Sequence, residues 1–340
     1  MSKSTSQIVI DGHRHIICPE AQKMAMKLDS IKATDFLDGA NEFSAAVNKD
    51  RAPAWNLKMT NLGEHFKDLG ASGIDVGVLW PPPIGFYYWA EPKAGAELAR
   101  LINEHTSHTV SQNPDHFVGL ATVPLQDGEL AAQELSYAIH KLGLKGAVIA
   151  SNVNGRGLDE EQFYPFFGQV EKLRIPVFIH PHNAAGADRL QNYYLINFIG
   201  YPVDSTIAAA QLVFGGVLDR FPDLKICLAH AGGVFPFLLG RFDHGWSVRP
   251  EAQKLCKNPV SYYLKNFYVD SITFRPETLR FVLEIMPEGH VFLGTDYPFD
   301  MGDPDPVRFL KSAITDQHLM EEVLGENLRR LLVLSDSIFS

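Results

Sequence analysis

Ile8-Val9-Ile10-Asp11-Gly12-His13-Arg14-His15 is a short apolar, β-branched run that ends in two histidines. Seven more runs of this kind follow: Val76–Trp80, Phe117–Val123, Gly146–Ala150, Val177–His180, Lys225–His230, Phe267–Asp270 and Val291–Thr295. Each has the length and composition of a strand buried on both faces. Stretches of helical period lie between most of them, including Ala94–Gln112, Gly128–Leu142, Asp159–Leu173, Ile207–Arg220 and Glu277–Ile285. Eight strands alternating with helices predict an α/β fold, a (β/α)8 TIM-type barrel that occupies residues 1–340 as a single domain. The segment from Pro19 to Trp55 breaks the rhythm and contains no clear strand. It reads as a long loop or small lid insertion over the catalytic face, spanning about residues 19–60, because long irregular connections in compact domains are usually functional. Residues after about Pro304 read as closing helices.

The bulk composition excludes several classes. At 340 residues and 46% hydrophobic, the chain can bury a large core. A formal net charge of -10 without any Lys/Arg cluster argues against nucleic acid as a partner. Cys18, Cys227 and Cys256 are odd in number and widely spaced, which fits neither a disulfide framework nor a CxxC metal signature. The stretch from Met1 to His13 lacks the apolar run of a signal peptide, and nothing approaches the roughly 18 apolar residues of a membrane span. The expectation is a cytoplasmic protein with no membrane association. There is no Gly-rich phosphate loop, since Gly232-Gly233 alone is too weak a signal, and no organic cofactor is expected.

The chemistry is concentrated where the runs end. In parallel barrels, functional residues gather at the C-terminal ends of the strands. There the sequence places His13 and His15, His180 and His182, His230, and Asp296. Side chains alternate along a strand, so His13 and His15 point the same way, into the barrel mouth, and His180 and Asp296 can converge on them. Three neutral imidazoles and one carboxylate suit a divalent, zinc-like ion and leave a position for water. His230 would then stand beside that water as general acid/base. A lone histidine is more often a core or surface residue; four of them with an aspartate at four strand ends are not dismissed that way.

The pattern Asp-x-His-x-His at 11–15, His-Pro-His at 180–182, His-x-Gly-Gly at 230–233 and Gly-Thr-Asp-Tyr-Pro-Phe at 294–299 resembles the amidohydrolase-2 branch of the amidohydrolase superfamily. The resemblance runs from Ile8 to about Asn327. Phe117–Gln126, Phe235–Phe237 and Gly240–Pro250 are most similar to the muconate-semialdehyde decarboxylases of that branch, which also holds isoorotate, γ-resorcylate and 5-carboxyvanillate decarboxylases and some hydrolases and hydratases. It implies His13, His15, His180 and Asp296 as ligands of one divalent ion, zinc first, with manganese or cobalt compatible. It implies His230 as the acid/base group, with Asp296 also counted as catalytic. Binuclear members carry a bridging Lys or Glu on strand four; here that strand is Gly146–Ala150, and Lys145 lies at its wrong end.

The activity so implied is a carbon–carbon lyase, releasing CO2 non-oxidatively from a small carboxylated aromatic or muconate-semialdehyde-type substrate. A hydrolase or hydratase acting on a C–C, lactone or amide bond is the alternative, because it needs the same metal and histidine. A barrel that binds metal without turnover is the reading from another class, and retention of all five residues argues against it. Arg249 matches an arginine that reaches a neighbouring subunit's site to clamp the substrate carboxylate, which implies a homodimer. The family's second substrate arginine falls on Asn48 by gapless counting back from Trp55, with Arg51 nearby but out of register. Either Arg51 substitutes after a local shift, or the second carboxylate is absent. His182 could touch substrate or only support the site. Trp80 opens the aromatic stretch Trp80–Trp89, which could wall a flat substrate or simply pack, and Asp270 could orient His230 or a ligand imidazole.

Overall fold

The structure, a computed structural model, describes residues 7–34 and 41–335. Its strands are β1 (Ile10–His15), β2 (Val76–Trp80), β3 (Phe117–Gly119), β4 (Ala121–Thr122), β5 (Ala147–Ala150), β6 (Pro176–His180), β7 (Lys225–Leu228), β8 (Phe267–Asp270) and β9 (Val291–Phe292). Every ladder is parallel. β3 and β4 form one barrel stave interrupted at Leu120, where the pairing changes hands: Leu120 N–H donates to Leu79, and Ala121 N–H donates to Gly146. The ring closes between first and last staves through Gly12 N–H to the Leu293 carbonyl (2.9 Å) and Asp296 N–H to the His13 carbonyl (2.9 Å). This is the eight-staved barrel that the alternating runs predict.

The staves are buried along almost their whole length, as their β-branched composition requires. The main helices are α1 (Pro19–Leu28), α2 (Glu42–Thr60), α3 (Leu62–Ser72), α4 (Pro92–Gln112), α5 (Gly128–His140), α6 (Tyr164–Leu173), α7 (Tyr201–Phe214), α8 (Val217–Arg220), α9 (Phe235–Val248) and α10 (Pro276–Ile285). Several turn a stripe inward; on α4 that stripe includes Leu98, Ile102 and Thr106. The predicted helix Ile207–Arg220 is two helices, because Gly216 adopts a left-handed φ of 76° and turns the chain between them.

The segment after the first strand, expected as a long loop or small lid, is largely helical. It is built from α1, a 3-10 turn at Lys32–Thr34 and α2, while residues 35–40 lie outside the described residues. No apolar period announced α2, because it buries only Ser44, Trp55 and Met59 and carries Pro53 in its interior. Asn41 caps it by accepting the Ser44 N–H.

Candidate metal centre

Two predicted strands end earlier than the apolar runs suggest, and both endings place functional side chains. The run Lys225–His230 leaves the ladder after Leu228, and Val291–Thr295 leaves it after Phe292. His230 and Asp296 then take left-handed backbone conformations, with φ of 55° and 58°. Non-glycine residues occupy that region at a cost of about 1–3 kcal/mol, and such strain collects at functional sites. The glycines beside His230 have a steric reason: Gly233 has φ of 63°, and a Cβ there would lie 2.0 Å from the Pro202 carbonyl oxygen.

Asp11 and Arg14 set the frame. Asp11 is fully buried and accepts hydrogen bonds from His13 N–H (3.0 Å), Thr295 N–H (3.0 Å) and the Thr295 hydroxyl (2.6 Å). Arg14 points away from its two histidine neighbours, lies 3.6 Å over the Tyr297 ring and donates to His65 Nδ1 at 3.2 Å. The residues flanking His13 thus fasten the first stave to the segment that carries Asp296.

On the inner side, four imidazoles face one carboxylate. His13 Nε2 lies 3.3 Å, His15 Nε2 3.0 Å and His180 Nε2 4.0 Å from Asp296 Oδ1, and His230 Nε2 lies 3.5 Å from Oδ2. The opposite ring nitrogens are held from behind. His13 Nδ1 donates to Asp270 (2.8 Å), and His180 Nδ1 donates to the Pro181 carbonyl (2.8 Å). Asp270 also accepts the backbone N–H groups of His230 (2.9 Å) and Ala231 (2.8 Å), so one carboxylate orients one ring and seats another. Trp80 packs at 4.6 Å and 4.5 Å against the His13 and His15 rings, its indole N–H bonded to the Gly12 carbonyl.

The electrostatics are those of a cation site. Burial would push the Asp296 carboxyl upward, but the charge on His13 and the contacts with His15 and His230 hold it well below the usual range. At His13, burial opposes protonation, yet Asp296 and Asp270 outweigh it and raise the pKa to about 9. Burial dominates at His15, lowered to about 4, and at His180, held well below its ordinary value, so both present neutral lone pairs. His13 Nε2, His180 Nε2 and His15 Nδ1 are buried without a hydrogen-bond partner, a cost of about 1–3 kcal/mol each unless something else satisfies them. A divalent ion among the Nε2 atoms would satisfy His13 and His180, and the donor set fits one. One group whose ligand atoms all lie within 4.8 Å of one another is His13, His180, His230 and Asp296; it includes His230 and not His15.

A small chamber of about 50 Å³ lies over these donors, walled chiefly by Asn48, Trp55, Tyr194, Tyr201, Phe299 and Met301. It shares Asn48, Tyr194 and Met301 with an outer chamber of about 670 Å³. Of the expected substrate contacts, none lines the inner chamber. Arg51 pairs with Asp300 and borders the outer one, while Asn48, one helical turn earlier, takes the inner position. Trp80 lies behind the histidines, His182 packs on Phe86, and Arg249 is exposed at the end of α9, paired with Glu251. The sequence reading missed Tyr194, Asn197 and Tyr201. Their signal was available in the aromatic and amide residues of the segment following the sixth stave, a strand-end connection on the catalytic face.

Comparison with known proteins matches this architecture. The amidohydrolase family profile covers residues 10–334. The 2-amino-3-carboxymuconate-6-semialdehyde decarboxylase of Dictyostelium discoideum is 41% identical over 273 residues, covering 79% of this chain and 75% of that protein. The structure of 5-carboxyvanillate decarboxylase from Sphingomonas paucimobilis superposes with a TM-score of 0.85 at 26% identity, covering 97% of this chain and all of that one. A dihydroxybenzoic acid decarboxylase from Polaromonas, solved with bound manganese and 2-nitroresorcinol, shares the fold with a TM-score of 0.82 at 22% identity, covering 96% of this chain and 97% of that one.

Proposed function

This chain belongs to the amidohydrolase family, and from that premise we propose that it is a metal-dependent decarboxylase, a carboxy-lyase that releases CO2 from a small carboxylated aromatic or muconate-semialdehyde-type acid. The observation that carries this is the convergence of four strand-end imidazoles on the single Asp296 carboxylate. His13, His15, His180 and Asp296 are the proposed ligands of one divalent ion, zinc in the first instance, to be identified by elemental analysis of the purified protein. When bound, such an ion would orient the substrate oxygens and offset their negative charge.

The chain's own groups supply the rest. His230, whose ring is 17% exposed at the chamber, holds a proton on Nε2 and delivers it to the carbon that bears the carboxylate. The carbon–carbon bond then breaks, CO2 leaves, and its electron pair restores the conjugated system. The rings of Trp55, Tyr194, Tyr201 and Phe299 suit a planar substrate and exclude water around it. The same constellation could hydrolyse a C–C, lactone or amide bond, so the deciding experiment is CO2 release. Purified enzyme is assayed against carboxylated aromatics and muconate semialdehydes, in parallel with lactones and amides. Turnover of the carboxylates is expected; hydrolysis without CO2 would overturn the reading.

We further propose a homodimer in which Arg249 clamps the substrate carboxylate of the partner's site. The exposure of Arg249 on its own chain, 66% for the side chain, supports this. Arg249→Ala and His230→Ala chains, each inactive alone, are expected to regain activity when mixed and refolded together, approaching half of one functional site per dimer. Absence of rescue would place Arg249 in cis or outside catalysis. The three cysteines are buried and unpaired, which supports a reducing, cytoplasmic setting. No described helix is long and apolar enough to cross a membrane.

A further inference from the structure

A second group of ligand atoms lies outside the chamber, on the flank where α1 meets α4. Cys18 ends the connection after β1 and caps α1; Glu20 stands in the first turn of that helix; His105 projects from α4. The Cys18 sulfur, a Glu20 carboxylate oxygen and a His105 ring nitrogen all lie within 4.8 Å of one another, with Sγ 3.7 Å from Glu20 Oε2. From this convergence of thiol, carboxylate and imidazole we propose a second metal site, selective for a thiophilic divalent cation such as zinc.

Three features carry the assignment. First, the donor set is mixed: one soft sulfur, one imidazole and one hard oxygen suit zinc-like ions and disfavour magnesium or calcium, which want oxygen throughout. Second, the surroundings prepare the donors. Cys18 is 5% exposed, packed among Ala21, Tyr87 and Ile102, while Glu20 is exposed and His105 half-buried, so an ion can enter from the Glu20 side and keep a water as fourth ligand. Burial also lowers the His105 pKa, leaving the imidazole neutral and its lone pair available. Third, burial raises the Cys18 pKa and the backbone N–H groups of Ala21 and Glu20 offset only part of that, so the buried sulfur stays a protonated thiol until an ion displaces its proton. On binding, the thiol gives up its proton to solvent as the S–metal bond forms. A Cys–His–Glu trio could instead serve nucleophilic catalysis, but so enclosed a sulfur leaves no room for in-line attack on a substrate carbon, whereas an ion needs none. The bridge would tie α1, and with it the start of the excursion that carries Asn48 and Trp55, to α4.

The test uses the full-length enzyme titrated with cobalt after removal of its resident metal. A thiolate-to-cobalt charge-transfer absorption is expected in the wild type, and it reads this site whether or not the histidine centre holds its own ion. Cys18→Ser should abolish the absorption, and Cys18→Ser and His105→Gln should each weaken one equivalent of zinc at least about 100-fold. Both variants should keep the other equivalent and wild-type turnover. A wild type without the absorption, or an absorption that survives Cys18→Ser, would overturn the proposal; neither result bears on the decarboxylase reading.

Discussion

Asp296→Ala and His180→Ala are each expected to strip the catalytic ion and lower kcat/KM by roughly 10³-fold or more, the equivalent of several kcal/mol of lost charge stabilisation. Asp296 carries the negative charge on which the imidazoles converge; without it, His13, His15, His180 and His230 face one another with no counter-charge. Removing His180 deletes an inward-facing Nε2 donor atom that has no hydrogen-bond partner of its own. Elemental analysis and circular dichroism of the purified variants separate loss of metal from loss of fold. A folded Asp296→Ala protein with full metal occupancy would refute the ligand assignment.

His230→Ala should behave differently. Removing a general acid typically costs 10²–10⁴-fold, and here that loss is expected in kcat, with KM little changed and metal content intact. The contrast matters because His230 falls within a group of possible ligand atoms that all lie within 4.8 Å of one another and that does not include His15. If His230→Ala loses the ion while His15→Ala keeps it, the two histidines exchange roles. If both keep the ion and His230→Ala turns over normally, the protein uses another acid.

The barrel was legible because most staves are buried on both faces and rich in apolar, often β-branched residues, so their runs stood out from the amphipathic helices between them. The convergence of the strand-end histidines was legible for a related reason: a strand's pleat puts His13 and His15 on one side, and parallel barrels gather function at one rim. What stayed hidden lacks a period. α2 buries too little for its residues to form a stripe, and so it looked like a loop. Asn48, Tyr194 and Tyr201 meet at the chamber only because distant connections fold over the same rim. The early endings of the runs at Leu228 and Phe292 follow from left-handed turns at His230 and Asp296, residues whose type gives no warning of that conformation. Cys18 and His105 belong to separate helical elements, so no spacing rule could pair them.

The clasp of Asp11 and Arg14 on Thr295 and Tyr297 has a consequence for biogenesis. His15 and Asp296 lie 281 positions apart in the chain, so the full donor set exists only once the barrel has closed. Loading of the complete set follows that closure, and an ion present at about a thousandfold over its dissociation constant then adds about 4 kcal/mol to the folded protein as a lock across its seam.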